Sequence, residues 1–138
     1  DSGVVDKRLL DTDTVIEFFR KNPVVADRVA GYLEHHERLS IAIITYYEVL
    51  RGLKYLMVDK QLRAFENFAA DSEILPVDLD AARKAAEVYA GLRKQGQLIS
   101  EADILIAGVA LVNNCILVTN NTAHFSRVPN LQIENWIA

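Results

Sequence analysis

Short apolar runs separated by longer amphipathic stretches set the rhythm of this chain. Strand-like runs fall at Arg8 to Leu10, Leu39 to Ile44, Glu73 to Val77, Cys115 to Val118 and Leu131 to Ile133. Between them apolar residues return every three or four positions, which predicts helices. These cover Thr14 to Arg20, Val24 to Glu37, Tyr46 to Tyr55, Asp59 to Ala70 and Leu79 to Gln95, the last stopped by Gly96. A further helix, 102–112, is apolar nearly all round and is expected to be buried on several sides, against a sheet and a partner subunit. Pro23, Pro76 and Pro129 are expected in loops or at strand edges.

Alternating short strands and amphipathic helices imply an α/β layer fold around a mainly parallel sheet. With 138 residues, 51 % of them hydrophobic, and no repeat or linker, the chain reads as one domain over residues 8–138. Residues 1–7 are taken as an N-terminal tail without functional weight. The longest apolar run, Ile104 to Val112, is far short of the roughly 20 residues a membrane span requires, so a soluble protein is expected. A single cysteine, Cys115 within "CILVT", reads as a small buried side chain, and a cytoplasmic location follows as an expectation.

Charge narrows the chemistry. Fifteen basic against nineteen acidic residues, net −4, give no general attraction to nucleic acid, so any such role needs a local site. In open parallel sheets ligands bind beyond the carboxyl ends of the strands. Asp11 follows "RLL", Glu48 follows "IAII" at four residues, Thr119 to Asn121 follow "ILV", and Asp103 opens the apolar helix. If the strands are parallel, these residues share one edge.

Each acid alone has a plainer explanation. "TVIE", "TYYE" and "SEAD" place a hydroxyl three residues before an acid, the pattern of a helix cap. Asp11 precedes the Thr14 box and is not needed as a cap, so the set carries more weight than any member. Three carboxylates without histidine or cysteine suit Mg²⁺ or Mn²⁺, ions that serve phosphate chemistry. Zinc is not the expected ion: His35 and His36 are adjacent on a charged helix and His124 is alone.

The segments "LLDTDTVIEFF", "AIITYYEVLRGL", "ISEADILIAGVAL" and "ILVTNNTAHFSRVPNLQIENW" resemble, in order and spacing, the motifs of PIN-domain ribonucleases of the VapC toxin type, over about residues 8–137. The resemblance implies a three-layer α/β/α domain with a short parallel sheet and a Mg²⁺- or Mn²⁺-dependent endoribonuclease site. By motif match Asp11, Glu48 and Asp103 form the catalytic, metal-binding triad, with metal-bound water attacking the phosphodiester. Thr119 and Asn121 match polar positions lining the same site, and Ser100 joins them as an orienting group. It further implies tRNA or rRNA as substrate, a homodimer, and a VapB-type antitoxin as partner.

This sequence departs from the pattern at two places. Many relatives carry a fourth acid after the "VT" strand, where this chain has Asn121 and then His124, which leaves one ion or two undecided. Asp-Thr-Asp stands where Asp-Thr-Asn is common, so Asp13 either caps the first helix or adds charge near the metal. Glu101 lies two residues from Asp103, about 200° round a helix, so Asp103 is taken as the ligand and Glu101 as accessory. Arg51, one turn beyond Glu48, is either an RNA contact or a solvated surface arginine.

Three rival readings use the same residues. A haloacid-dehalogenase-like phosphatase would take Asp11 as nucleophile and Asp13 as acid/base, with Thr45 closing a strand, but leaves Glu48 idle. A receiver-like module would use Asp78 as phospho-acceptor and lacks its later lysine. A PIN domain that binds RNA or a partner without cutting is the third.

Overall fold

The computed structural model describes residues 6–138; residues 1–5, most of the expected tail, lie outside the described residues. Five strands form one sheet: β1 (Arg8–Leu10), β2 (Ser40–Ala42), β3 (Glu73–Leu75), β4 (Ile116–Val118) and β5 (Ile133–Glu134), in the order β3-β2-β1-β4-β5. Every pairing is parallel. Seven helices connect them: α1 (Thr12–Phe19), α2 (Pro23–Leu33), α3 (Ile43–Leu56), α4 (Asp59–Ala70), α5 (Leu79–Lys94), α6 (Glu101–Val112) and α7 (Thr122–Phe125).

Alternation along three-residue strands builds the layers. Leu9, Ala42, Leu75 and Leu117 point to one face, where they pack with Ala85, Leu92, Ile104, Ala107 and Phe125. Leu10, Ile41 and Val118 point to the other, against Val15, Val25, Val49, Phe65 and Trp136. The result is the expected α/β/α sandwich, with α5 and α6 on one side and α1 to α4 on the other. On the first side, helix packing is close: a Cβ on Gly108 of α6 would stand 2.7 Å from the Ala81 carbonyl oxygen of α5. Gly96, at φ +67, takes the left-handed position after α5, as its place in the sequence suggested.

Several boundaries differ from the sequence reading. The run Leu39 to Ile44 splits, because β2 ends at Ala42 and α3 begins at Ile43 without a side-chain cap. Thr45 therefore lies inside α3, and neither a cap in "TYYE" nor a strand-ending Thr45 survives. The Thr14 box fails likewise, since Thr14 is inside α1 and Asp11 is the N-cap, accepting from Thr12 N–H. Only the Ser100 cap stands, with Asp103 N–H donating to its hydroxyl.

The other corrections have similarly local causes. Pro23 opens α2, where its fixed φ suits the first helical position, and Asn22 caps the helix. The helix stops at Leu33, so His35 and His36 sit in the turn beyond it rather than on a helix. His36 stacks on Tyr32 at 4.1 Å between ring centroids instead of facing solvent. Lys7, assigned to the tail, belongs to the domain: its carbonyl accepts from Ile116 N–H and its ammonium pairs with Glu73 at 2.7 Å.

Candidate active site

The carboxyl ends of β1 and β4 meet directly, with Asp11 N–H donating to the Val118 carbonyl at 2.8 Å. Asp11 thus stands where β1 turns into α1, and Thr119 follows β4 beside it. The Thr119 hydroxyl donates to Asp11 Oδ2 at 2.8 Å and accepts from Asn121 N–H at 2.9 Å. Asp11 Oδ1 accepts from Thr12 N–H at 2.8 Å. Only 5 % of Asp11 is exposed, and burial, followed by the charge of Asp13, pushes its carboxyl up to about 7 against the hydrogen bonds from Thr119 and Thr12.

Glu48 reaches the same edge from α3. The Thr12 hydroxyl donates to Glu48 Oε1 at 2.7 Å and lies 3.1 Å from Thr45 Oγ1. Asp103 arrives from the first turn of α6, where its Oδ2 accepts from Asn121 Nδ2 at 3.2 Å. Burial raises its carboxyl above the ordinary aspartate range, opposed by the Ser100 hydrogen bond and reinforced by the charge of Glu48. Asp103 adds to the field at Asp11, and Asp13 to the fields at both. Four carboxylates from three helices therefore share one electrostatic neighbourhood.

Asp13 is not the helix cap. It sits in the first turn of α1, where its Oδ2 accepts from Asn120 N–H at 3.0 Å and ties the loop after β4 to α1. Glu101 is exposed and has no hydrogen bond to the other acids among the described residues. Ser100 spends its acceptor on the α6 cap. Arg51 stands at the rim, 3.8 Å from Glu48 Oε2, with its guanidinium 5.1 Å from the Tyr47 ring centroid.

The sequence reading missed Thr12, and with it the link that orients Glu48. Its signal was visible, a hydroxyl between two acids in "DTD", but only the tertiary fold places it against α3. His124 was set aside as a lone histidine; its Nδ1 lies 3.0 Å from Asn121 Nδ2.

The donor set is carboxylate and hydroxyl oxygen, the set a hard cation takes. As the side chains stand, no three His, Cys, Asp or Glu residues close on one point tightly enough to hold an ion among the described residues. Glu48 and Asp103 are held by Thr12 and Asn121 instead. Two clefts lie away from the acids. One, of about 600 Å³, lies between α5, the end of α6 and Cys115; the other, of about 510 Å³, is lined by Ile16, Phe19, Val49, Leu53 and Phe65.

A family model described as the PIN domain matches residues 8–131. The chain belongs to the PIN-domain family. This PIN domain is 32% identical over 132 residues to the tRNA(fMet)-specific endonuclease VapC of Salmonella typhimurium, covering 94% of this chain and 98% of that one. It is 34% identical over 131 residues to the protein of the same name from Shigella flexneri, with the same two coverages, 94% and 98%. Among solved structures, DNA-bound VapBC from Salmonella typhimurium superposes with a TM-score of 0.86 at 31% identity, over 96% of this chain and 99% of that one. VapBC2 of Rickettsia felis, bound to a DNA fragment from its promoter, gives 0.83 at 28% identity, over 94% and 98%.

These matches place the PIN domain in the VapC group, as the motifs implied, and set aside the phosphatase and receiver readings. The structure agrees locally. Thr45 is on a helix rather than at a strand end, and Asp78 is engaged as the α5 cap, accepting from Ala81 N–H at 2.9 Å.

Proposed function

We propose that this protein is a metal-dependent endoribonuclease, the toxin of a toxin–antitoxin pair, with Asp11, Glu48 and Asp103 as its catalytic and metal-binding acids. One observation carries the reading. Acids distant in sequence converge at the carboxyl edge of a parallel sheet, where burial and the neighbouring carboxylates raise the proton affinity of Asp11 and Asp103, with Arg51 beside Glu48. Like charges gathered at such a cost are retained where they hold something cationic. Membership of the PIN family and the endonuclease names of the relatives point the same way.

Asp11, Glu48 and Asp103 would hold Mg²⁺ or Mn²⁺. Such an ion polarises a phosphoryl oxygen and lowers the pKa of a bound water. The chain's own part is positioning. Thr119 and Thr12 N–H fix both oxygens of Asp11, the Thr12 hydroxyl fixes Glu48, and Asn121 fixes Asp103. Ser100 holds the first turn of α6 that carries Asp103 and hydrogen-bonds that carboxyl, and Arg51 attracts the RNA backbone. Asp13 and Glu101 add negative potential as accessory groups.

A VapB-type antitoxin is the partner and RNA, tRNA or rRNA, the substrate, in a cytoplasmic homodimer. No helix among the described residues is long and apolar enough to cross a membrane. The apolar cleft between α1, α3 and α4, where Phe19 is exposed, gives a partner's apolar side chains a place to bury.

The test is cleavage of total RNA by wild type and Asp103→Asn, with and without EDTA. Cleavage that disappears in EDTA and falls at least about a hundredfold in the variant is expected. Equal cleavage by both proteins would refute the assigned site, and full activity in EDTA the metal. Binding of RNA without cleavage would establish the non-cutting alternative.

A further inference from the structure

We propose that His124 is a substrate-contacting residue of this site, presenting its Nε2–H to a non-bridging phosphate oxygen of bound RNA, with its tautomer set by Asp103 through Asn121. The inference rests on the RNA reading above.

The Asn121 amide nitrogen lies 3.2 Å from Asp103 Oδ2 and 3.0 Å from His124 Nδ1. An ionised carboxylate only accepts, so Asn121 must turn its NH₂ rather than its carbonyl toward Asp103. One amide proton goes to the carboxylate and the other to the imidazole. Nδ1 is then an acceptor, and the proton of the neutral ring resides on Nε2.

The rest of the placement makes that proton available. Phe125, fully buried, anchors α7 in the core, while the neighbouring His124 is exposed. Its Nε2 has no protein partner among the described residues and is not buried. Asn121 and His124 follow β4 directly, so the ring stands at the same sheet edge as Thr119 and Asp11.

A hydrogen-bond donor suits this flank. A phosphodiester approaching four carboxylates meets Arg51 on the Glu48 side and His124, which acts on Asp103, on the other. The ring N–H on Nε2 can donate to an anionic phosphate oxygen while Nδ1 stays engaged with Asn121.

The test measures affinity for a short fluorescent single-stranded RNA in EDTA, alongside cleavage kinetics, for wild type, His124→Ala and His124→Gln. Glutamine places an amide N–H near the position of Nε2. His124→Ala should weaken binding about tenfold and act on KM more than on kcat, with an unchanged melting temperature. His124→Gln should restore most of the loss. Wild-type affinity in His124→Ala, or a His124→Gln as weak as His124→Ala, would overturn the proposal. Weakened binding by His124→Ala, in a protein whose wild type cuts RNA no better than Asp103→Asn, would overturn the nuclease reading and uphold this contact.

Discussion

Thr119 donates its hydroxyl proton to Asp11 Oδ2 at 2.8 Å across a separation of 108 residues. Both side chains are buried, and the bond locks the ends of two adjacent parallel strands to one carboxylate. That carboxylate is the most strained electrostatic element of the proposed site.

Asp11 should make metal-free stability depend on pH. Its carboxyl titrates at about 7 in the fold against 3.8 for the unperturbed group. Below the lower value it is protonated in both states. Between the two the unfolded chain ionises and the folded one does not, so stability falls as pH rises through that window, and the whole loss is present above 7. Asp11→Asn, which keeps the Thr12 cap, should be more stable than wild type at pH 7.5 by on the order of 2 to 4 kcal/mol, and the difference should vanish toward pH 4. Thermal melts in chelator measure it. Adding Mn²⁺ at pH 7.5 should raise the wild-type midpoint and leave Asp11→Asn unmoved.

Thr12 orients Glu48 without itself being an acid. Thr12→Val keeps the shape and removes the donor to Glu48 Oε1. Cleavage should fall about tenfold with the melting temperature within a few degrees of wild type. A variant with full activity would show that α3 alone positions Glu48.

Gly108 is required by packing rather than by helix geometry. A methyl group there meets the backbone oxygen of Ala81 and the Cβ of Ala85, neither of which moves without shifting α5. Gly108→Ala should therefore destabilise the fold by about 1 to 3 kcal/mol, although alanine is the better helix former. Chemical denaturation reads this directly; a gain in stability would contradict the close approach of the two helices.

Arg51 is an exposed partner of Glu48 at 3.8 Å, a pair that contributes little to stability. Arg51→Ala should leave the melting temperature unchanged. Its effect should appear in RNA binding, as a several-fold weaker affinity and a salt dependence reduced by about one phosphate contact. Unaltered RNA affinity at low salt would make Arg51 a solvated surface residue.

Much of this was legible in the chain because the signals were local. Leu9 and Leu10, or Leu117 and Val118, alternate between two buried faces, and a short apolar run between helical patterns therefore reads as a buried parallel strand. The apolar surround of 102–112 reads as a doubly packed helix for the same reason. Capping was less legible. "TVIE" and "TYYE" satisfy a spacing rule, but a cap also requires the preceding backbone to be extended, and the chain entered both helices earlier than the hydroxyl. The run Leu39 to Ile44 was misread because β-branched residues serve a strand and the buried first turn of a helix equally well.

The sequence by itself determined an α/β fold with a mainly parallel sheet, since this follows from hydrophobic period, and family resemblance supplied the three layers and the candidate acids. Tertiary structure decided how the acids are held. Thr12 reaches Glu48 across 36 residues and Asn121 reaches Asp103 across 18. Such bonds depend on crossovers bringing strand ends together, a long-range geometry that no local spacing encodes. The rise of the Asp11 carboxyl to about 7 has the same origin, because burial and the field of Asp13 and Asp103 exist only once the sheet has closed.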